Sequence, residues 1–186
     1  GGFDAKEGSL KALLNVRGCK MMESVCKELG VSYKNNGSLV VGFNDEDRAV
    51  LNELLERGNK NGVERLQILE KDELKKLEPN LSENVTCALY APTAGIVCPY
   101  TLAISAVGNA MDNGAELKCN FKVIGIDEIE NGYKVSAEND AVEARYVINC
   151  AGVYSDEIAK MIGDDSFSVH PRRGEYILLD KDCGDT

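Results

Sequence analysis

One histidine stands in the 186 residues, and none of the seven cysteines forms a C-x-x-C pair. Structural zinc is held by closely spaced Cys and His, so both shortages speak against a zinc site of usual spacing. The odd cysteine count, and the apolar runs around these residues, fit small buried thiols in a reducing compartment. A basic stripe is missing too. The formal charge is −10 with both signs mixed along the chain, which excludes the electrostatic footprint of nucleic-acid binding and fits a soluble, acidic, cytoplasmic protein. No apolar stretch approaches the roughly 20 residues of a membrane span. The N-terminus has neither the basic flank nor the apolar run of a signal peptide. It also lacks Met, beginning Gly1-Gly2-Phe3, and reads as part of a longer chain.

What is present alternates between helical and strand periods. Ser9 caps a helix predicted to run to about Leu29, with Leu10, Leu13, Leu14, Met21, Met22, Val25 and Cys26 on its apolar side and Gly30 as its stop. "VSYKNNGSLVVGF" (31–43) reads as two strands around an Asn36-Gly37 hairpin turn. Asp45 opens a helix to about Arg57; "LQIL" (66–69) is a short strand, "KDELKKLEP" a short helix and "VTCALYAP" a further strand. Pro99 suits the first turn of a helix that Gly114 closes. A β-meander follows, with turns at Asn131-Gly132 and Asn139-Asp140, and its last strand, "ARYVINCAG", is almost wholly apolar. Such a strand, with helices before and after it, is what a parallel, doubly covered sheet requires. The fold class expected is therefore mixed α/β (α+β): a parallel sheet plus β-meander, interleaved with an antiparallel sheet.

In "YVINCAGVYSDEIAKMIG" (146–163) the strand thins to Ala151-Gly152 before a polar Ser155-Asp156-Glu157. Ligands of open α/β sheets lie beyond the carboxyl ends of the strands, and small residues there leave room for a close approach to the backbone. An ordinary tight strand-to-helix turn accounts for the same two residues. Ser155 and Asp156 suit helix capping better than ligand binding. Further on, "HPRRGEY" brings together cations in an acidic chain. On an extended segment Arg172, Gly174 and Tyr176 share one side, while Arg173 and Glu175 share the other and suit a surface pair. An arginine and a tyrosine about a glycine suit a small anionic substrate; a solvated edge strand explains them equally. Nothing places His170 beside a nucleophile or a cofactor.

The segments "GGFDAKEGSLKALLNVRGCKMM", "NGSLVVGFNDED", "AGIVCPYTLAISAVGNAMDNGAEL", "ARYVINCAGVYSDEIAKMIG" and "HPRRGEYILLDK" follow one another in an order that resembles the D-amino-acid-oxidase-like FAD-dependent oxidoreductases. Their glycerol-3-phosphate dehydrogenase branch is the most similar. The resemblance covers essentially the whole chain. It implies hydride transfer to a flavin, with the Val123 backbone at the adenine edge and Ala151 and Gly152 beside the FAD. It also implies that residues 1–30 and 97–165 belong to an FAD-binding lobe, and 31–96 and 166–186 to a substrate lobe. One departure is large: the family's G-x-G-x-x-G fingerprint is nowhere in the chain. Gly1 to Asp4 resemble a position past that fingerprint, near the flavin ring. FAD is thus expected in the full-length protein and not on this chain alone, which is expected to be inactive. The base, and any further phosphate-binding arginines, are expected outside it. An electron-acceptor protein or a quinone is the partner implied. A 2-hydroxy-acid or amino-acid oxidase of the same superfamily stays open, as does a non-catalytic α/β binding domain.

Overall fold

The computed structural model describes residues 1–175, which fall into two compact units, 1–117 and 118 onward. In the first unit, α1 (Leu10–Glu28) starts where Ser9 Oγ accepts the Ala12 N–H at 3.2 Å and stops before Gly30, whose φ is +67°. Start and stop follow the sequence reading. The apolar side does not: Ala12 and Cys26 are buried, while Leu10, Leu13 and Leu14 are exposed. β1 (Tyr33–Lys34) and β2 (Ser38–Gly42) flank Asn36-Gly37 but do not pair with each other. This corrects the expected hairpin. β1 pairs with β5 (Ile96–Val97), and β2 with β4 (Cys87–Ala91), both antiparallel. The reason lies in the turn's polar groups, which are satisfied from the facing loop: Gly37 N–H donates to Ala94 O at 2.9 Å, and Asn35 Nδ2 donates to Pro92 O and Ala94 O.

α2 (Asp45–Lys60) is capped by Asn44, whose Oδ1 accepts the Asp47 N–H at 2.8 Å, while Asp47 Oδ2 accepts the Phe43 N–H at 2.8 Å. Asn44 thus caps the first turn, and Asp47 ties back the residue that precedes the cap. β3 (Gln67–Glu70) leads into α3 (Lys71–Leu77), and β4 lies between β2 and β3 in a three-stranded antiparallel sheet. β4 is buried on both faces: Ala88 packs with Leu69, Leu74 and Val85 on one, and Cys87 and Leu89 with Leu51 on the other. α4 (Pro99–Asp112) begins at Pro99 as expected, yet buries none of its residues.

The second unit holds the meander, β6 (Gly125–Ile129), β7 (Gly132–Ser136) and β8 (Ala141–Ala144), paired antiparallel in that order. Both expected turns form; Glu130 and Asn131 are the loop of the first, and Ala137 N–H to Asp140 O at 2.8 Å closes the second. The mixed α/β class holds, with every strand pairing among the described residues antiparallel. The predicted apolar last strand is the correction. After Ala144 the chain leaves the ladder, and Tyr146 and Ile148 are each 85% exposed. A strand buries both faces only when neighbours and covering helices are present, and the described residues supply no partner for 146–150. A 3-10 turn (Gly152–Tyr154) then leads into α5 (Ser155–Lys160). Among the cysteines, Cys26 and Cys87 are buried and Cys19 half-buried. Cys98, Cys119 and Cys150 are exposed, against expectation: they stand at a helix start, in a turn and in the unpaired run. Cys183 lies outside the described residues.

Candidate cofactor-binding site

The bend at Ala151–Gly152 is built by a side chain that precedes it. Asn149 Oδ1 accepts the Ala151 N–H at 3.2 Å, and Asn149 Nδ2 donates to Ser155 O at 2.8 Å. Tyr154 N–H donates to Ala151 O at 3.1 Å and completes the turn. Gly152 has φ +59°, a left-handed conformation that favours glycine, and a Cβ built there meets no atom within 4 Å. Among the described residues, then, the space beside Gly152 is open, while Ala151 is half-buried. α5 has six residues, too few to sum a useful dipole at its start.

Neither Ser155 nor Asp156 caps α5 through its side chain, a correction to the sequence reading. Asp156 is buried instead and accepts the Val169 N–H at 3.2 Å, with Lys160 Nζ 3.6 Å away. The Val169 amide, then Lys160, holds its carboxyl below the usual carboxylate range against the effect of burial. Asp156 thus fastens the segment after α5 onto the helix.

Val123 is half-buried, one residue before Ile124, whose N–H donates to Ser136 O at 2.9 Å. The Val123 N–H and C=O make no hydrogen bond among the described residues. A groove of about 350 Å³ runs between the meander and α5, lined by Ile126, Tyr133, Tyr146, Asn149, Ile158 and Phe167 among others. It reaches the bend through Asn149; Val123, Ala151 and Gly152 do not line it. Arg172 and Gly174 are exposed on a segment with no ladder among the described residues, and Arg173 Nε lies 3.7 Å from Glu175 Oε1, the expected surface pair. Tyr176 lies outside the described residues. His170 Nε2 meets Ser168 Oγ at 3.3 Å.

In the first unit, the start of the chain is clamped by residues that the sequence reading passed over. Asn61 Nδ2 donates to Gly2 O at 2.9 Å and to Ala5 O at 2.8 Å. Gly58 lets Phe3 lie close, since a Cβ there would fall 2.8 Å from the Phe3 Cβ. A small cavity of about 170 Å³ adjoins this segment, with Cys19, Glu23, Tyr33, Asn35 and Arg65 in its wall. Burial, then Cys19 and Glu23, pushes the Tyr33 phenol up.

A glycine bend with open space beside it and a Val123 backbone edge without a hydrogen bond, both among the described residues of the second unit, fit a nucleotide cofactor such as FAD. The sequence pattern of the DAO family, "FAD dependent oxidoreductase", matches residues 1–185. The chain is 41% identical over 183 residues to a glycerol 3-phosphate dehydrogenase of Caloramator mitchellensis, covering 98% of this chain and 38% of that protein. It is 34% identical over 194 residues to the mitochondrial L-2-hydroxyglutarate dehydrogenase of Pongo abelii, covering 96% and 45%. Among solved structures, dithionite-reduced L-alpha-glycerophosphate oxidase from Mycoplasma pneumoniae with FAD bound matches with TM-score 0.77 and 26% identity, over 86% of this chain and 44% of that one. The chain thus spans less than half the length of these relatives. From end to end of the match, it belongs to the DAO family of FAD-dependent oxidoreductases.

Proposed function

We propose that this chain is part of an FAD-dependent dehydrogenase that oxidises sn-glycerol 3-phosphate to dihydroxyacetone phosphate. The observation that carries the reading is the 41% identity, over 98% of the chain, to the Caloramator protein of that name. FAD, when bound, supplies the acceptor for a hydride from the carbon bearing the hydroxyl. The chain's own residues orient and shape. Ala151 and Gly152 keep side chains away from the nucleotide, and the Val123 backbone offers a donor and an acceptor to the adenine edge. Arg172, with Gly174 and Tyr176, takes the anionic end of the substrate and so fixes its reacting carbon at a distance. In this reading residues 1–30 and 97–165 serve the FAD lobe, and 31–96 and 166–186 the substrate lobe. The complete enzyme works in the cytoplasm and passes its electrons to a protein or quinone acceptor.

A second reading, oxidation of a 2-hydroxy acid, is favoured by the 34% identity to an L-2-hydroxyglutarate dehydrogenase. Charge separates the two, since a phosphate dianion calls for more than one cation at its site. The experiment mixes the full-length flavoprotein anaerobically with glycerol 3-phosphate, L-2-hydroxyglutarate or glycine and follows the flavin's visible absorbance. Bleaching by glycerol 3-phosphate alone is expected. Bleaching by the hydroxy acid alone overturns the substrate assignment, and a protein that is colourless and stays so with added FAD overturns the flavoenzyme reading.

A further inference from the structure

We propose that Asn149 is a positioning residue for the nucleotide cofactor, holding the Ala151–Gly152 bend in the shape against which FAD lies. The inference rests on the cofactor reading above and goes beyond it by assigning a side chain that does not itself line the bend. Its carboxamide reaches both ways along the chain: Oδ1 accepts from Ala151 N–H at 3.2 Å, ahead of the glycine, and Nδ2 donates to Ser155 O at 2.8 Å, behind it. Residues 146–150 have no ladder among the described residues, so no sheet bond fixes the approach to the bend there. Beside Gly152 there is open space among the described residues, so none of their side chains presses on the glycine itself. The side-chain amide braces the bend together with two backbone bonds of the turn, Tyr154 N–H to Ala151 O and Ser155 N–H to Gly152 O.

Only an amide of this length does both jobs. Aspartate keeps the acceptor for Ala151 but loses the donor for Ser155; alanine loses both. With two hydrogen bonds at stake, a weakening of FAD binding by about tenfold or more is expected for Asn149→Ala, and a smaller one for Asn149→Asp. The test uses full-length flavoprotein stripped of FAD. Its readouts are the FAD dissociation constant from quenching of flavin fluorescence, the visible circular dichroism of the bound flavin, and the urea midpoint of the apoprotein. Graded weakening, Ala beyond Asp, with altered dichroism and a near-native apoprotein midpoint, supports the proposal. Affinity and dichroism of Asn149→Ala within twofold of the parent overturn it. If Asn149→Ala does not fold, Asn149→Asp decides alone: weakened binding supports the proposal, and unchanged binding overturns it. Ala151→Leu tells the two failures apart. If leucine at 151 leaves FAD affinity untouched, the cofactor does not lie on this bend at all. If leucine weakens it and Asn149→Ala does not, only the brace is wrong.

Discussion

Asp156 is the one charged residue counted as buried among those described, and its carboxylate faces an amide and an ammonium. Its folded pKa lies below the ordinary value. Such a group adds stability that is fully present above its unfolded pKa, about 3.9 for Asp, and is lost as pH falls through the lower folded value. Acidification below about pH 4 is therefore expected to lower the thermal midpoint, and Asp156→Asn to flatten part of that acid limb. Asp140, held down by Lys118, and Asp164, held down by Ser166, carry the same sign, so the limb shrinks without vanishing. A variant that keeps the parent's full acid slope in melts from pH 6 to about pH 2 shows that Asp156 is not linked to folding. Residue-level chemistry was only partly legible beforehand. An Asn two positions before a small-residue bend is an Asx-turn signal, yet its second bond, to Ser155, depends on where the next helix starts.

β4 is the element on which the first unit turns. Leu89 is fully buried at its centre, opposite Val40 of β2 and Ile68 of β3. Leu89→Ala is expected to cost roughly 2–5 kcal/mol, while Leu13→Ala, on the exposed side of α1, should stay within about 0.5 kcal/mol. Urea unfolding of the chain measures both; equal losses would mean that the sheet is not the core. The helix starts at Ser9, which caps α1, and at Pro99, the first residue of α4, were readable because a helix start is a local event. Pairing is not local. Asn36-Gly37 announces a turn with positive φ, and Gly37 has φ +76°. The identity of the paired strands was decided by residues 87–97, far along the chain. The run 146–150 was misread for a related reason: apolar composition says a strand is meant to be covered on both faces, not that its neighbours lie within the residues described.

At the scale of the whole molecule, each unit carries apolar side chains in water. In the first, Tyr100 and Ile104 of α4 are 79% and 72% exposed; in the second, Tyr146 and Ile148 are each 85% exposed. Exposed large apolar side chains offer binding sites to apolar dyes. The chain is expected to brighten an anilinonaphthalene dye in its native state, and the pair Ile104→Glu and Ile148→Glu to reduce that signal by about half or more. Brightening unchanged by both substitutions would place the dye elsewhere. The order of the first unit's sheet, β2–β4–β3, has a consequence for synthesis. Its two outer strands leave the ribosome first and cannot bond to each other. A nascent chain halted short of Cys87 holds two strands with no one to zip to, so the sheet closes in a single late event when residues 87–91 emerge.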